Sequence, residues 1–178
     1  MVTAEDVVTI YTKLSAHGIK IWLVGGWGID ALLEEQTRPH KDLDVILLLD
    51  DVARTRELLE NDGYELKELW PENRFVKDGC ENETATAFVY HDAEGREFDA
   101  HAMVTDEQGN GIPAWADAED FIFKKEELEG TGLIGGFSVQ CITPESQIIC
   151  HLGYELPEKQ KKDLDLLHRK YKIDYPRG

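Results

Sequence analysis

Two aspartates one residue apart, Asp42 and Asp44, stand where an apolar run begins in "KDLDVILLL". Residues two apart on a strand point to the same face, so the two carboxylates project together. Like charges held that closely repel, and more so where water is scarce. A divalent cation is the natural counter-charge. Hard cations such as Mg²⁺ take oxygen ligands and commonly complete their shell with phosphate oxygens. An Asp-x-Asp pair alone is also what a solvated strand end looks like. Its neighbours give it chemical meaning. Gly25 and Gly26 follow an apolar strand and precede a helix, where backbone N–H groups approach a phosphate closely and the helix dipole favours the anion. Arg38 and Lys41 lie in the intervening loop with His40 beside them, a source of positive charge for a triphosphate. Asp99, in the strand-like "REFDAH", is a third carboxylate. If its strand lies beside that of Asp44, three acids converge, enough to hold two cations and activate a hydroxyl for in-line attack on phosphorus.

The elements that must position these groups follow from periodicity and punctuation. Thr3 to Ala16 reads as a helix with Thr3 as N-cap and Asp6 three residues on. Ile19 to Val24 is a strand, Gly25-Gly26 a tight turn, and "WGIDALLEE" a short helix. "QTRPHKD" is a loop, with Pro39 as breaker. "LDVILLL" is a buried strand. Asp51 to Asn61 is a helix. "YELKEL", "RFVK", "ATAFVYHD" and "REFDAHAMV" read as strands, the last two joined at Asp92–Gly95 as a hairpin. Residues 105–136 read mostly as loop and "FSVQCI" as a strand. Thr143-Pro144 starts a helix that runs to about Gly153, and a last helix runs from near Pro157 to Tyr171. The order implies an α+β fold: a mixed β-sheet with helices on one side and a small C-terminal helical tail.

The resemblance becomes specific when the motifs are taken together. "WLVGGWGIDALL", "TRPHKDLDV", "REFDAH" and "ITPESQIICHLGYEL" resemble the small antibiotic nucleotidyltransferases: the short lincosamide nucleotidyltransferases and the aminoglycoside 2″-adenylyltransferases. The likeness spans roughly residues 5 to 170 and is poor over 65–90 and 105–136. It implies a nucleotidyltransferase-like mixed sheet flanked by helices, with residues 1–104 as the core. Residues 105–178 would complete the same unit and line the acceptor pocket. It implies Gly25 and Gly26 for the phosphate turn, and Asp42, Asp44 and Asp99 as metal ligands, with Asp99 also a candidate base. Arg38 and His40 are implied for the triphosphate, and Tyr154, Glu155 and His101 for the acceptor. Mg²⁺, two ions in the family pattern, and ATP as co-substrate follow from the same likeness, as does a homodimer as one assembly state open to the chain.

Composition bounds what remains. The chain has 178 residues, 42% of them hydrophobic, and a net charge of −17. That charge disfavours unspecific nucleic-acid binding and favours a cationic small-molecule acceptor. No apolar run approaches a membrane span, and the polar, acidic start "MVTAEDVVTIYTKL" does not read as a leader, so the expected location is the cytoplasm. Cys80, Cys141 and Cys150 read as reduced thiols. Trp22 and Trp27 read as core, and Lys159, Lys161 and Lys162 as a solvated helix face. The acidic stretch from Ala116 to Phe121 suits either attraction of a cation or solubility. The expected function is transfer of AMP from ATP to a hydroxyl of a lincosamide-like acceptor. An aminoglycoside acceptor is the alternative, and a toxin–antitoxin enzyme acting on protein or RNA the more distant one.

Overall fold

The computed structural model describes residues 1–69, 74–76, 83–115, 121–152 and 155–175. Tyr154, Cys80 and residues 116–120 lie outside the described residues. Five α-helices are described: α1 (Ala4–Ala16), α2 (Gly25–Leu33), α3 (Val52–Asn61), α4 (Pro144–Ile149) and α5 (Glu158–Tyr171). The principal sheet runs in the order β1 (Ile21–Leu23), β2 (Asp42–Leu48), β7 (Glu97–Thr105), β6 (Ala87–His91), β3 (Glu65–Leu69), with β8 (Gly111–Pro113) extending β7. It is mixed: β2 and β7 are parallel, while β1–β2, β6–β7, β3–β6 and β7–β8 are antiparallel. Two hairpins stand apart, β4 (Arg74–Val76) with β5 (Glu83–Ala85), and β9 (Thr131–Ile134) with β10 (Phe137–Gln140).

The central strands divide their residues between two faces with period two. Leu43, Val45 and Leu47 of β2 and Phe98, Ala100 and Ala102 of β7 enter one large core. The buried apolar residues of all five helices join it, among them Val7, Leu14, Ile29, Leu59, Ile148, Leu164 and Leu167. The helices therefore pack on one side. The opposite face holds a smaller cluster in which Trp22, Ile46 and Met103 meet Phe123, Leu128 and Ile142. Trp22 and Trp27 are both buried, and the Trp22 indole donates to Leu128 O at 2.7 Å. Among the described residues no helix is long and apolar enough to cross a membrane.

Local chemistry sets the boundaries. Thr3 and Asp6 form a reciprocal capping box at the start of α1, and Gly18 ends the segment with φ +73°. The glycine pair is not a separate turn: Gly25 and Gly26 are the first residues of α2. Residues 105–136 are more regular than a loop. They contain β8, a 3₁₀ turn at Lys125–Leu128, and β9. Gly135 and Gly136, both at positive φ, close the β9–β10 hairpin, a primed turn matched to strand twist. The backbone of Gly132 lies against that of Ala31 so closely that a Cβ would strike it, which sets the hairpin on α2. α4 stops at Ile149, sooner than its N-terminal signal suggested. The end of α5 is fastened to α2: Tyr171 Oη and Lys170 Nζ both donate to Leu32 O, at 2.6 and 2.9 Å.

Candidate active site

Parallel pairing of β2 with β7 puts Asp42 opposite Glu97, Asp44 opposite Asp99 and Ile46 opposite His101. Neighbouring strands lie about 4.8 Å apart, so four acids form a two-by-two array on the face away from the helices. One is neutralised. Lys41 and Lys67 reach Glu97 Oε1 at 2.5 and 2.8 Å. Against the burial that would raise it, their hydrogen bonds hold the Glu97 carboxyl below its ordinary value. Lys41, expected near a phosphate, is committed here.

Among the described residues the other three acids lack such lysine partners. Burial, then the charges of Asp42 and Asp99, push the Asp44 carboxyl up to about 8, with Lys159 and Arg38 pulling the other way. Burial, then Asp42 and Glu97, push Asp99 up to about 7. Asp99 Oδ1 is buried without a hydrogen-bond partner, with His101 Nδ1 3.5 Å away. Burial depresses His101 to about 4, leaving a neutral imidazole at neutral pH, set edge-on to Trp115 at 5.2 Å.

Gly25, at φ +59°, brings the start of α2 against these acids. A Cβ there would collide with the Asp44 carboxylate, and one on Gly26 would collide with the His40 ring. A cleft of about 390 Å³ opens at this junction. Gly25, Gly26, Arg38, Asp42 and Asp44 line one part of it. His101, Trp115, Phe123, Cys150, His151, Lys159 and Gln160 line the rest. Asp99 sits beside the cleft, in register with Asp44.

The loop between α2 and β2 is held by two buried carboxylates absent from the sequence reading. Asp30 accepts from Thr37 N and Oγ1 and lies 2.5 Å from His40 Nε2. His40 is buried and its ring rests on Trp27. It packs against Gly26 at the start of α2 and is not among the residues that line the cleft, where a triphosphate contact was expected. Asp163 of α5 takes Arg38 through Nε and Nη2 at 3.0 and 2.8 Å. Arg38 therefore stays at the cleft wall with one edge of its guanidinium occupied. Lys159, read as a solvated lysine, lines the cleft and acts on Asp44. Glu155 is exposed. The clue to Asp163 was an acid on the same side of α5 as Leu167, four residues on. Trp115 carried no sequence signal, and His151 lay unremarked inside the motif "ITPESQIICHLGYEL".

The arrangement fits a hard divalent cation. Its donors are oxygens, one of them a buried oxygen with no hydrogen-bond partner, and its carboxyls drive one another toward protonation. Among the described residues no three His, Cys, Asp or Glu side chains are gathered closely enough to be a finished ion cage.

The model of the aminoglycoside-2″-adenylyltransferase family matches residues 6–167. The chain belongs to that family. The match encloses every site residue named above. A lincosamide resistance protein from Staphylococcus haemolyticus is 24% identical over 163 residues, covering 92% of each chain. Among solved structures, lincomycin-bound lincosamide antibiotic adenylyltransferase LnuA has a TM-score of 0.76 at 24% identity, covering 93% of this chain and 96% of its own. The family's fold is also seen in ANT(2″)-Ia in complex with adenylyl-2″-tobramycin, with a TM-score of 0.67 at 19% identity and coverage of 94% and 88%.

Proposed function

We propose that this protein transfers AMP from ATP to a hydroxyl of a small, amine-bearing antibiotic, a lincosamide in the first instance. The observation that carries the reading is the pairing of Asp44 with Asp99, with Asp42 on the same face, opposite the glycine start of α2. Asp42, Asp44 and Asp99 would hold Mg²⁺, which when bound supplies charge neutralisation for the triphosphate. The N–H groups at the start of α2 take phosphate oxygens, because they have no partner within the helix. Asp99, with a buried Oδ1 that has no hydrogen-bond partner among the described residues, is placed to accept the acceptor's proton. The acceptor oxygen then bonds to the α-phosphorus, the bond from that phosphorus to the bridging oxygen of the β-phosphate breaks, and pyrophosphate leaves with the electron pair. The chain's contribution is position and fixed charge.

The acceptor side comes mainly from residues 105–178, with His101. Trp115 and Phe123 give that wall an apolar surface, which suits an acceptor with an apolar body better than a polycation. The net charge of −17 favours the second reading, an aminoglycoside acceptor. The test is to incubate the protein with Mg²⁺, each nucleoside triphosphate, and panels of lincosamides and aminoglycosides. Pyrophosphate release and product mass are followed. A gain of one AMP on lincosamides alone is the expected result. A gain on aminoglycosides alone transfers the assignment to them, and no gain on either class removes it.

A further inference from the structure

A second cavity of about 520 Å³ lies along α5 and shares Arg38 and Lys159 with the cleft. Its wall carries Lys159, Lys162 and Arg169 as well as Arg38. Positions 159, 162, 166 and 169 recur at helical spacing, so the three cations form one stripe with Leu166 between them. Lys162 and Arg169 are exposed, and among the described residues neither has an acidic partner within ion-pair distance. Of the two acids in the wall, Asp163 is spent on Arg38, and Asp165 Oδ1 accepts from Tyr175 Oη at 2.9 Å. In a chain with a net charge of −17 this is a local reversal of sign. It borders the site where a polyanion is to be handled and shares two cations with the cleft.

We propose that this α5 groove receives the pyrophosphate end of the nucleoside triphosphate and holds pyrophosphate as it departs. The inference rests on the adenylyl-transfer reading and extends it to the leaving group. Asp163 fixes the near edge of Arg38, so the remaining Nη1 edge, held among the described residues by Pro39 O at 3.4 Å, is the part left to an anion. Lys159 spans the passage between the α-phosphate site and the groove. Lys162 and Arg169 line the groove and not the cleft, so the groove distinguishes ligands by the phosphates beyond the first.

The experiment is calorimetric binding of inorganic pyrophosphate, ATP and AMP to the full chain at fixed ionic strength with Mg²⁺. The wild type is compared with the Lys162→Gln, Arg169→Gln double variant. Lys161→Gln, outside the groove and paired with Glu158, is the charge control. The double variant is expected to bind pyrophosphate roughly tenfold to a hundredfold more weakly, the worth of one or two charge-assisted hydrogen bonds. Its KM for ATP should rise in step, while its AMP affinity, lincosamide affinity and unfolding midpoint stay at the wild-type values. Wild-type pyrophosphate affinity in the double variant, with ATP still bound, overturns the groove alone. A wild-type protein that binds no nucleoside triphosphate overturns the adenylyl-transfer reading and the groove with it.

Discussion

β2 and β7 present two chemically opposite faces from one backbone. On the helix side, Leu43, Val45, Leu47, Phe98, Ala100 and Ala102 are fully buried among apolar neighbours. On the other side, one residue out of step, stand Asp42, Asp44, Glu97 and Asp99. The first face yields free energy on folding, at roughly 25 cal/mol per Å² of apolar area removed from water. The second costs it, because partly desolvated like charges are held together. The core face stabilises an arrangement that the acid face opposes, and that opposition is what makes the acid face ready for a cation.

Substitution on one face should therefore separate activity from stability, and on the other join them. Asp44→Asn should lower turnover by roughly three orders of magnitude or more, in the range of losses seen when a transition-state charge partner is removed. The metal-free variant should unfold at a higher temperature than the wild type, because a repelled carboxyl is gone. Pyrophosphate-release rates and thermal unfolding read the two effects, and near-normal turnover would break the contrast. Leu47→Ala, on the other face of the same strand, should cost about 2–5 kcal/mol in urea unfolding. Its turnover should change far less than that of Asp44→Asn.

The smallest effect is in the pH dependence. Asp44, at about 8 in the folded protein against 3.8 as its ordinary value, binds more proton folded than unfolded between those limits. Its contribution to stability is present at low pH and is lost as pH rises toward 8. His101, at about 4 against 6.5, works in the opposite sense below pH 6.5, where the unfolded state takes up the proton first. The two offset each other in the acid range. Between pH 6.5 and 8 only the carboxyls act, with Asp99 adding to Asp44 up to about pH 7. The metal-free protein should lose on the order of 1–2 kcal/mol across that interval. Mg²⁺ should raise the unfolding midpoint more at pH 8 than at pH 6. A flat profile from pH 6.5 to 8 would mean that the acids are better solvated than their burial indicates.

What could be read from the sequence was set by local rules. Alternation in "DLDVILL" placed Asp42 and Asp44 on one face and Leu43, Val45 and Leu47 on the other, because the strand period is fixed. Thr3 and Thr143 were readable as caps because capping is settled within three residues. His40 was not readable in this way. A histidine in "RPHKD" looks solvated, and only the packing of α2 and the carboxylate of Asp30 carry it indoors. Lys159 likewise became a cleft residue through the docking of α5, a contact made across more than a hundred residues from Asp44. The β9–β10 hairpin did have a local signal in Gly135-Gly136, which the surrounding glycines and acids obscured.

The docking of α5 has one more consequence. Asp163 and Lys159 belong to α5, so the cationic wall facing the acids is absent until that segment has been made and the helix has seated on α2. A growing chain therefore carries its acids long before the lysine and the arginine that offset them are fixed in place. Electrostatic balance at the cleft waits for α5, after the sheet is already laid down.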